Sequence, residues 1–123
     1  MKVLIIMSSL LLLVSSAFAD DYTGTELLKD CKLAVATENM QHPSSTVEII
    51  KGGRCVGYVM GIENMMEMEV AKNKVFCPPK DIIWKEVVQK VIQQLETEPG
   101  LLDSPAVFSV VKTLYNGFPC KKE

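Results

Sequence analysis

The sequence is poor in the residues that most metal chemistry and most nucleic-acid binding require. It contains one histidine, His42, and one arginine, Arg54. A single histidine excludes a histidine-rich metal site, and it leaves a cysteine or serine nucleophile only His42 as its base. Acidic residues outnumber basic ones, 15 against 13, and the lysines are scattered apart from Lys121-Lys122. Without a basic stripe to neutralise phosphates, nucleic acid is excluded as the expected partner. Long apolar runs are missing as well. The one continuous run, residues 3–14, falls short of the roughly 20 residues a spanning helix needs.

That run has the form of an export leader. Lys2 precedes it, and Ala17-Phe18-Ala19 places small residues at both recognition positions of a signal-peptidase site. We therefore expect a signal peptide over residues 1–19 and an exported, soluble domain over residues 20–123, with no membrane contact after cleavage. The first cysteine, Cys31, lies well inside that domain, so lipid anchoring is not expected. On the order of 100 residues make one domain with one small core. Four cysteines, Cys31, Cys55, Cys77 and Cys120, in an exported chain of this size read as two disulfides, for which three pairings exist.

Hydrophobic periodicity is helical throughout. Leu27, Leu28, Cys31, Ala34 and Val35 recur at three and four residues, predicting a first helix capped by Thr25 and fading near Glu38. Residues 39–53, with His42-Pro43-Ser44-Ser45 and Gly52-Gly53, read as a loop. A second helix is expected over residues 54–71, with Cys55, Val59, Ile62 and Met66 on one stripe and Glu63 and Glu67 on another. Gly57 and Gly61 share a face on which a neighbour can approach closely, with Tyr58 beside them.

Cys77-Pro78-Pro79 forces a turn, after which Asp81 caps a third helix whose buried face runs from Ile83 and Trp84 through Val87, Val88, Val91, Ile92 and Leu95. Asp81 with Lys85 and Glu86 with Lys90 have the spacing of intrahelical ion pairs. Pro99-Gly100 ends that helix, and Ser104-Pro105 opens a fourth through Val107, Val110, Val111 and Leu114, closed by Gly117 and Pro119. The fold expected is all-α, a small four- to five-helix bundle with two disulfides. A short link makes helices three and four antiparallel, which favours Cys77 with Cys120 and leaves Cys31 with Cys55.

Several residues admit two readings. Met60, Met65, Met66 and Met68 fill the core or line an adaptable groove, with Met65 and Met68 the expected surface members. Glu63 and Glu67 form a solvated helix face or an acidic stripe for a basic partner. Ser44 and Ser45 are turn formers or contacts, and His42 is a surface residue of the same loop. Tyr58, Gly57, Gly61 and Trp84 read as packing residues. No convergent acid, base and nucleophile is present, so an enzyme is not expected.

Taken together, Cys31, Cys55-Val-Gly57-Tyr58-Val-Met-Gly61, Cys77-Pro-Pro79, the amphipathic helix before Pro99, and Phe118-Pro119-Cys120 resemble the Rap1a/Tai immunity proteins, small periplasmic partners of type VI secretion amidase effectors. The resemblance spans most of the exported domain. It departs from the family in the Met-rich stretch after Met60 and in Gly100-Leu-Leu-Asp103. It implies a periplasmic, non-catalytic protein without cofactors, a homodimer, that binds a cognate cell-wall amidase effector and blocks its active cleft. The expected recognition surface is the loop bearing His42, Ser44 and Ser45 with Glu63 and Glu67 nearby. Composition and helix pattern alone also admit a carrier of a small apolar ligand, in a cavity lined by Met60, Met66, Val88 and Val91, or an acid-stress holdase.

Overall fold

The computed structural model describes residues 21–39, 45–69 and 76–121. The proposed leader, His42 and Ser44 lie outside the described residues. Four α-helices follow one another: α1 Gly24–Glu38, α2 Thr46–Glu69, α3 Trp84–Thr97 and α4 Ala106–Gly117, with a 3-10 turn at Pro99–Leu101 between the last two. No strand occurs among the described residues; the only bridge given is an isolated pair, Thr23 with Pro105. The expected all-α bundle with two disulfides is the fold observed.

Helix α1 starts two residues earlier than its apolar pattern indicates. Thr23, rather than Thr25, is its N-cap, in a reciprocal arrangement: the Glu26 N–H donates to the Thr23 hydroxyl and the Thr23 N–H donates to the Glu26 carboxylate. Thr25 is used instead in tertiary contact, since its N–H and hydroxyl both donate to the Leu102 carbonyl. Gly24 beside it donates to the Ser104 carbonyl at 2.9 Å, and a β-carbon there would stand 2.1 Å from the Leu101 carbonyl oxygen. Only glycine fits that contact. The start of α1 is thus sewn to the link between α3 and α4.

Helix α2 also begins earlier than expected, and here the loop assignment of residues 46–53 is corrected. Ser45 caps it: the Glu48 N–H donates to the Ser45 hydroxyl, and the Ser45 N–H donates to the Glu48 carboxylate. Gly52 and Gly53 lie inside the helix. Gly52 is buried against α1, where its missing side chain lets the two backbones close up. Gly57 and Gly61, expected at a close approach, instead face open space.

Helix α3 begins at Trp84 with no side-chain cap, so Asp81 is an exposed turn residue rather than the cap. Helix α4 likewise has Pro105 at its cap position, while the Ser104 hydroxyl donates to the Gly100 carbonyl. Lys85 bridges to Glu38 at 2.9 Å instead of to Asp81, tying the end of α1 to the start of α3. Lys90 lies over the Phe118 ring at 5.4 Å.

The core gathers Leu27, Cys55, Val59, Val87, Val88, Val91, Leu95, Val110 and Leu114, all without exposed surface. Full burial of one such aliphatic side chain contributes about 1.5–3 kcal/mol, so this cluster dominates the surface pairs. Cys31 joins Cys55 and clamps α1 to α2; Cys77 joins Cys120 and clamps the segment before α3 to the tail after α4. Beside the second bridge the Cys77 N–H donates to the Phe118 carbonyl, and Phe76 meets Phe118 edge to face at 5.9 Å.

Candidate functional site

Two polar constructions stand out from the apolar bundle. The first is closed. Asp30, on the buried side of α1, accepts 2.6 Å hydrogen bonds at Oδ2 from the Tyr22 hydroxyl and from Arg54 Nε on α2. The Arg54 guanidinium lies 4.6 Å from the centroid of the Tyr22 ring, and Tyr58 meets Tyr22 edge to face at 5.0 Å. Burial, and then the bond to Asp30, hold the Tyr22 hydroxyl far above its ordinary pKa. The only arginine of the chain is therefore spent internally, one residue from the Cys31–Cys55 bridge. A groove of about 630 Å³ runs past this network, but its buried carboxylate already has two donors.

The second construction is open. The C-terminal half of α2 is held by Val59, Ile62 and Met66 in the core. Glu63 sits one turn beyond Val59 on the same side, so the helix carries it inward. It is 5 % exposed, and its Oε2 is buried with no hydrogen-bond partner among the described residues. Burial first, and the neighbouring Glu67 carboxylate second, raise the Glu63 carboxyl above its ordinary pKa. Opposite this stretch of α2 runs the turn of residues 76–82. The Cys77–Cys120 bridge, the buried Phe76 ring and two consecutive prolines fix its course, and the Ile82 N–H closes onto the Pro79 carbonyl at 3.3 Å. Between helix and turn lies a pocket of about 570 Å³, walled by Met60, Glu63, Asn64, Glu67, Phe76, Cys77, Pro78, Pro79, Lys80 and Ile82.

These positions correct part of the sequence reading. Glu67 is exposed, but Glu63 belongs to a pocket wall and not to a solvated face. Ser45 serves as the α2 cap. It stands 18 residues before Glu63 along one helix, roughly 27 Å at 1.5 Å per residue, so Ser45 itself and the acidic pair do not share a surface patch; His42 and Ser44 lie outside the described residues. Met65 and Met68 are exposed and Met66 is buried, as expected. The four residues assigned to a ligand cavity are separated: Met66, Val88 and Val91 are packed in the core while Met60 borders the acidic pocket. Asn64 and Ile82 were not singled out as site residues by the sequence; the constrained Cys-Pro-Pro turn that faces this stretch of α2 was the signal. All four cysteines are disulfide-bonded as favoured, and none is free as a nucleophile. Among the described residues no cluster of three His, Cys, Asp or Glu side chains could hold a metal, and no described helix is long and apolar enough to cross a membrane.

The model of the Rap1a immunity proteins matches residues 23–120, from the cap of α1 to the last cysteine. The chain belongs to the Rap1a immunity family. No curated protein and no solved structure matches it. Family membership carries an immunity function, the binding of a secreted effector protein. Of the two polar constructions, only the pocket beside Glu63 is bordered by a buried acceptor without a hydrogen-bond partner among the described residues.

Proposed function

We propose that the chain is a periplasmic immunity protein that binds a peptidoglycan amidase delivered by a type VI secretion system and occludes its active cleft, protecting the cell that makes it. The observation that carries this reading is the family match across the whole helical domain, disulfide to disulfide. Two bridges fit an oxidising compartment, and residues 1–19 read as an export leader; both support the periplasm as the site of action. Inhibition needs no catalytic group of its own, only a rigid surface complementary to the effector. The bundle supplies rigidity through two covalent ties, one between α1 and α2 and one between the segment before α3 and the tail after α4.

A homodimer belongs to this reading, supported by apolar side chains left uncovered along α2: Val47, Ile49, Ile50, Met65 and Met68. Co-expression with an amidase effector, sought among the genes neighbouring this one and directed to the periplasm, tests the function. Rescue from lysis and a complex on gel filtration are expected; unabated lysis with no complex would remove the reading. The carrier alternative lacks support, because its four proposed lining residues do not meet in one cavity.

A further inference from the structure

The pocket beside Glu63 combines features that a general binding surface does not need. Among the described residues its walls contribute two carboxylates, Glu63 and Glu67, against one cation, Lys80. One of those carboxylates is nearly sealed from solvent, and its Oε2 lacks a donor among the described residues. Leaving a buried acceptor unpaired is costly, and a charged one more so. A donor in the pocket would remove that cost once the carboxylate turns to meet it, so the buried, unpaired Glu63 favours a ligand that brings positively charged N–H groups.

The rest of the wall narrows the ligand. A hard metal cation takes six or more oxygen ligands. Among the described residues this pocket offers two carboxylates and the Asn64 amide, beside a lysine, the apolar flanks of Met60 and Ile82 and the edge of the largely buried Phe76. A guanidinium fits that mixture better than a compact ammonium, because it is weakly hydrated, lies flat on apolar and aromatic surface, and presents forked donors to a carboxylate. The turn that forms the far wall is tied down by the Cys77–Cys120 bridge and by Pro78-Pro79, so the pocket is preorganised and little ordering is needed on binding. A volume of about 570 Å³ admits an arginine side chain together with part of the loop that carries it.

We propose that this pocket is the receptor for an arginine side chain presented by the effector, with Glu63 as its buried acceptor and Glu67 as the exposed carboxylate that draws it in. The proposal rests on the immunity reading for the identity of the partner, but the chemistry of the pocket stands apart from it. The expected contact is central and desolvated, the position at which interfaces concentrate their binding energy.

The test has two arms. In the first, the 15N-labelled domain, residues 20–123, is titrated with N-acetyl-arginine methylamide, with the neutral citrulline analogue and with calcium chloride. The arginine probe is expected to shift amides of residues 60–67 and 76–82, citrulline and calcium to leave them in place, and Glu63→Gln to abolish the response while circular dichroism is unchanged. Shifts that are equal for citrulline, produced by calcium alone, or retained in Glu63→Gln would overturn the proposal. In the second arm, Glu63→Gln is expected to weaken binding of the proposed amidase effector at least roughly thirtyfold, mainly through faster dissociation, and Glu67→Gln to act less and mainly on association. Asn64→Lys, which places a cation at the exposed edge of the pocket, should match the loss. Amidase affinity unaltered in Glu63→Gln and Asn64→Lys would overturn the proposal and leave the immunity function standing. An amidase that the wild type itself fails to bind would sink the immunity reading, and the arginine titration would still decide what the pocket takes.

Discussion

Gly52 of α2 lies so close to Ala34 of α1 that a β-carbon on Gly52 would stand 3.0 Å from the Ala34 Cα and backbone nitrogen. Both contacts are with backbone, so a side chain could be admitted only by moving one helix off the other. The spacing of α1 and α2 near the Cys31–Cys55 bridge is therefore set by an absent methyl group. Gly53, the next residue, meets nothing within 4 Å.

The pair makes an internal control. Gly52→Ala should destabilise the protein by about 1–3 kcal/mol through overpacking. Gly53→Ala should stabilise it by about 0.5–1 kcal/mol, because alanine in an exposed helix interior loses less backbone entropy than glycine. Denaturant melts of both variants check the assignment, and equal effects would show that the two helices are not in the described contact.

The Asp30 network yields a second expectation. Arg54→Ala leaves the buried Asp30 carboxylate with the Tyr22 hydroxyl as its remaining donor among the contacts described. A loss of about 1.5–3 kcal/mol follows from removing the charged hydrogen bond to this buried carboxylate. Arg54→Lys should recover only part of it, since an ammonium cannot both reach Oδ2 through a planar fork and lie on the Tyr22 ring. Chemical denaturation of the two variants, with Lys32→Ala as a surface-pair control, reads the difference.

Glu63 gives the fold a pH dependence of definite sign. Its folded pKa is raised above the unfolded value, so the native state binds its proton more tightly than the unfolded chain does. The stabilising contribution is complete below the unfolded pKa and is lost as pH rises through the raised folded value. Glu63→Gln, which stays neutral, should therefore melt higher than wild type at pH 7, and the gap should narrow as pH falls to about 4. Calorimetric scans at both values check it; a gap that widens in acid would contradict the buried, unpaired state of this carboxyl.

The two disulfides should differ in weight. The bridged cysteines are 43 residues apart for Cys77–Cys120 and 24 for Cys31–Cys55. Chain entropy assigns about 4 and about 3.5 kcal/mol to loops of these lengths. Paired serine substitutions should lower Tm in both cases, the Cys77 and Cys120 pair more, and only that pair should also disturb amides around the acidic pocket.

Much of this architecture was legible in the residues. The buried face of α3 followed from its period, and the cysteine pairing from the short link that makes α3 and α4 antiparallel. Local signals were harder to weigh where tertiary contacts compete with them. Gly52-Gly53 read as a break because glycine weakens an isolated helix, yet Gly52 is there for close packing; Ser45 and Glu48, at capping-box spacing, held the correct start of α2. Thr25 resembled a cap, but its hydroxyl is taken by Leu102 across the bundle. The burial of Glu63 had only a partial local signature, its place one turn after Val59. It depends on the turn of residues 76–82 being held over α2 by a bridge to the far end of the chain, and periodicity along one helix carries no information about that.

The central claim is tested most directly by inhibition. The purified domain, residues 20–123, would be titrated into the proposed amidase effector while release of cleaved peptidoglycan peptides is followed. The account predicts a stoichiometric fall of activity to baseline at one immunity chain per enzyme, with peptidoglycan itself left intact by the immunity protein alone. Full amidase activity at a large molar excess of the correctly disulfide-bonded protein would contradict it.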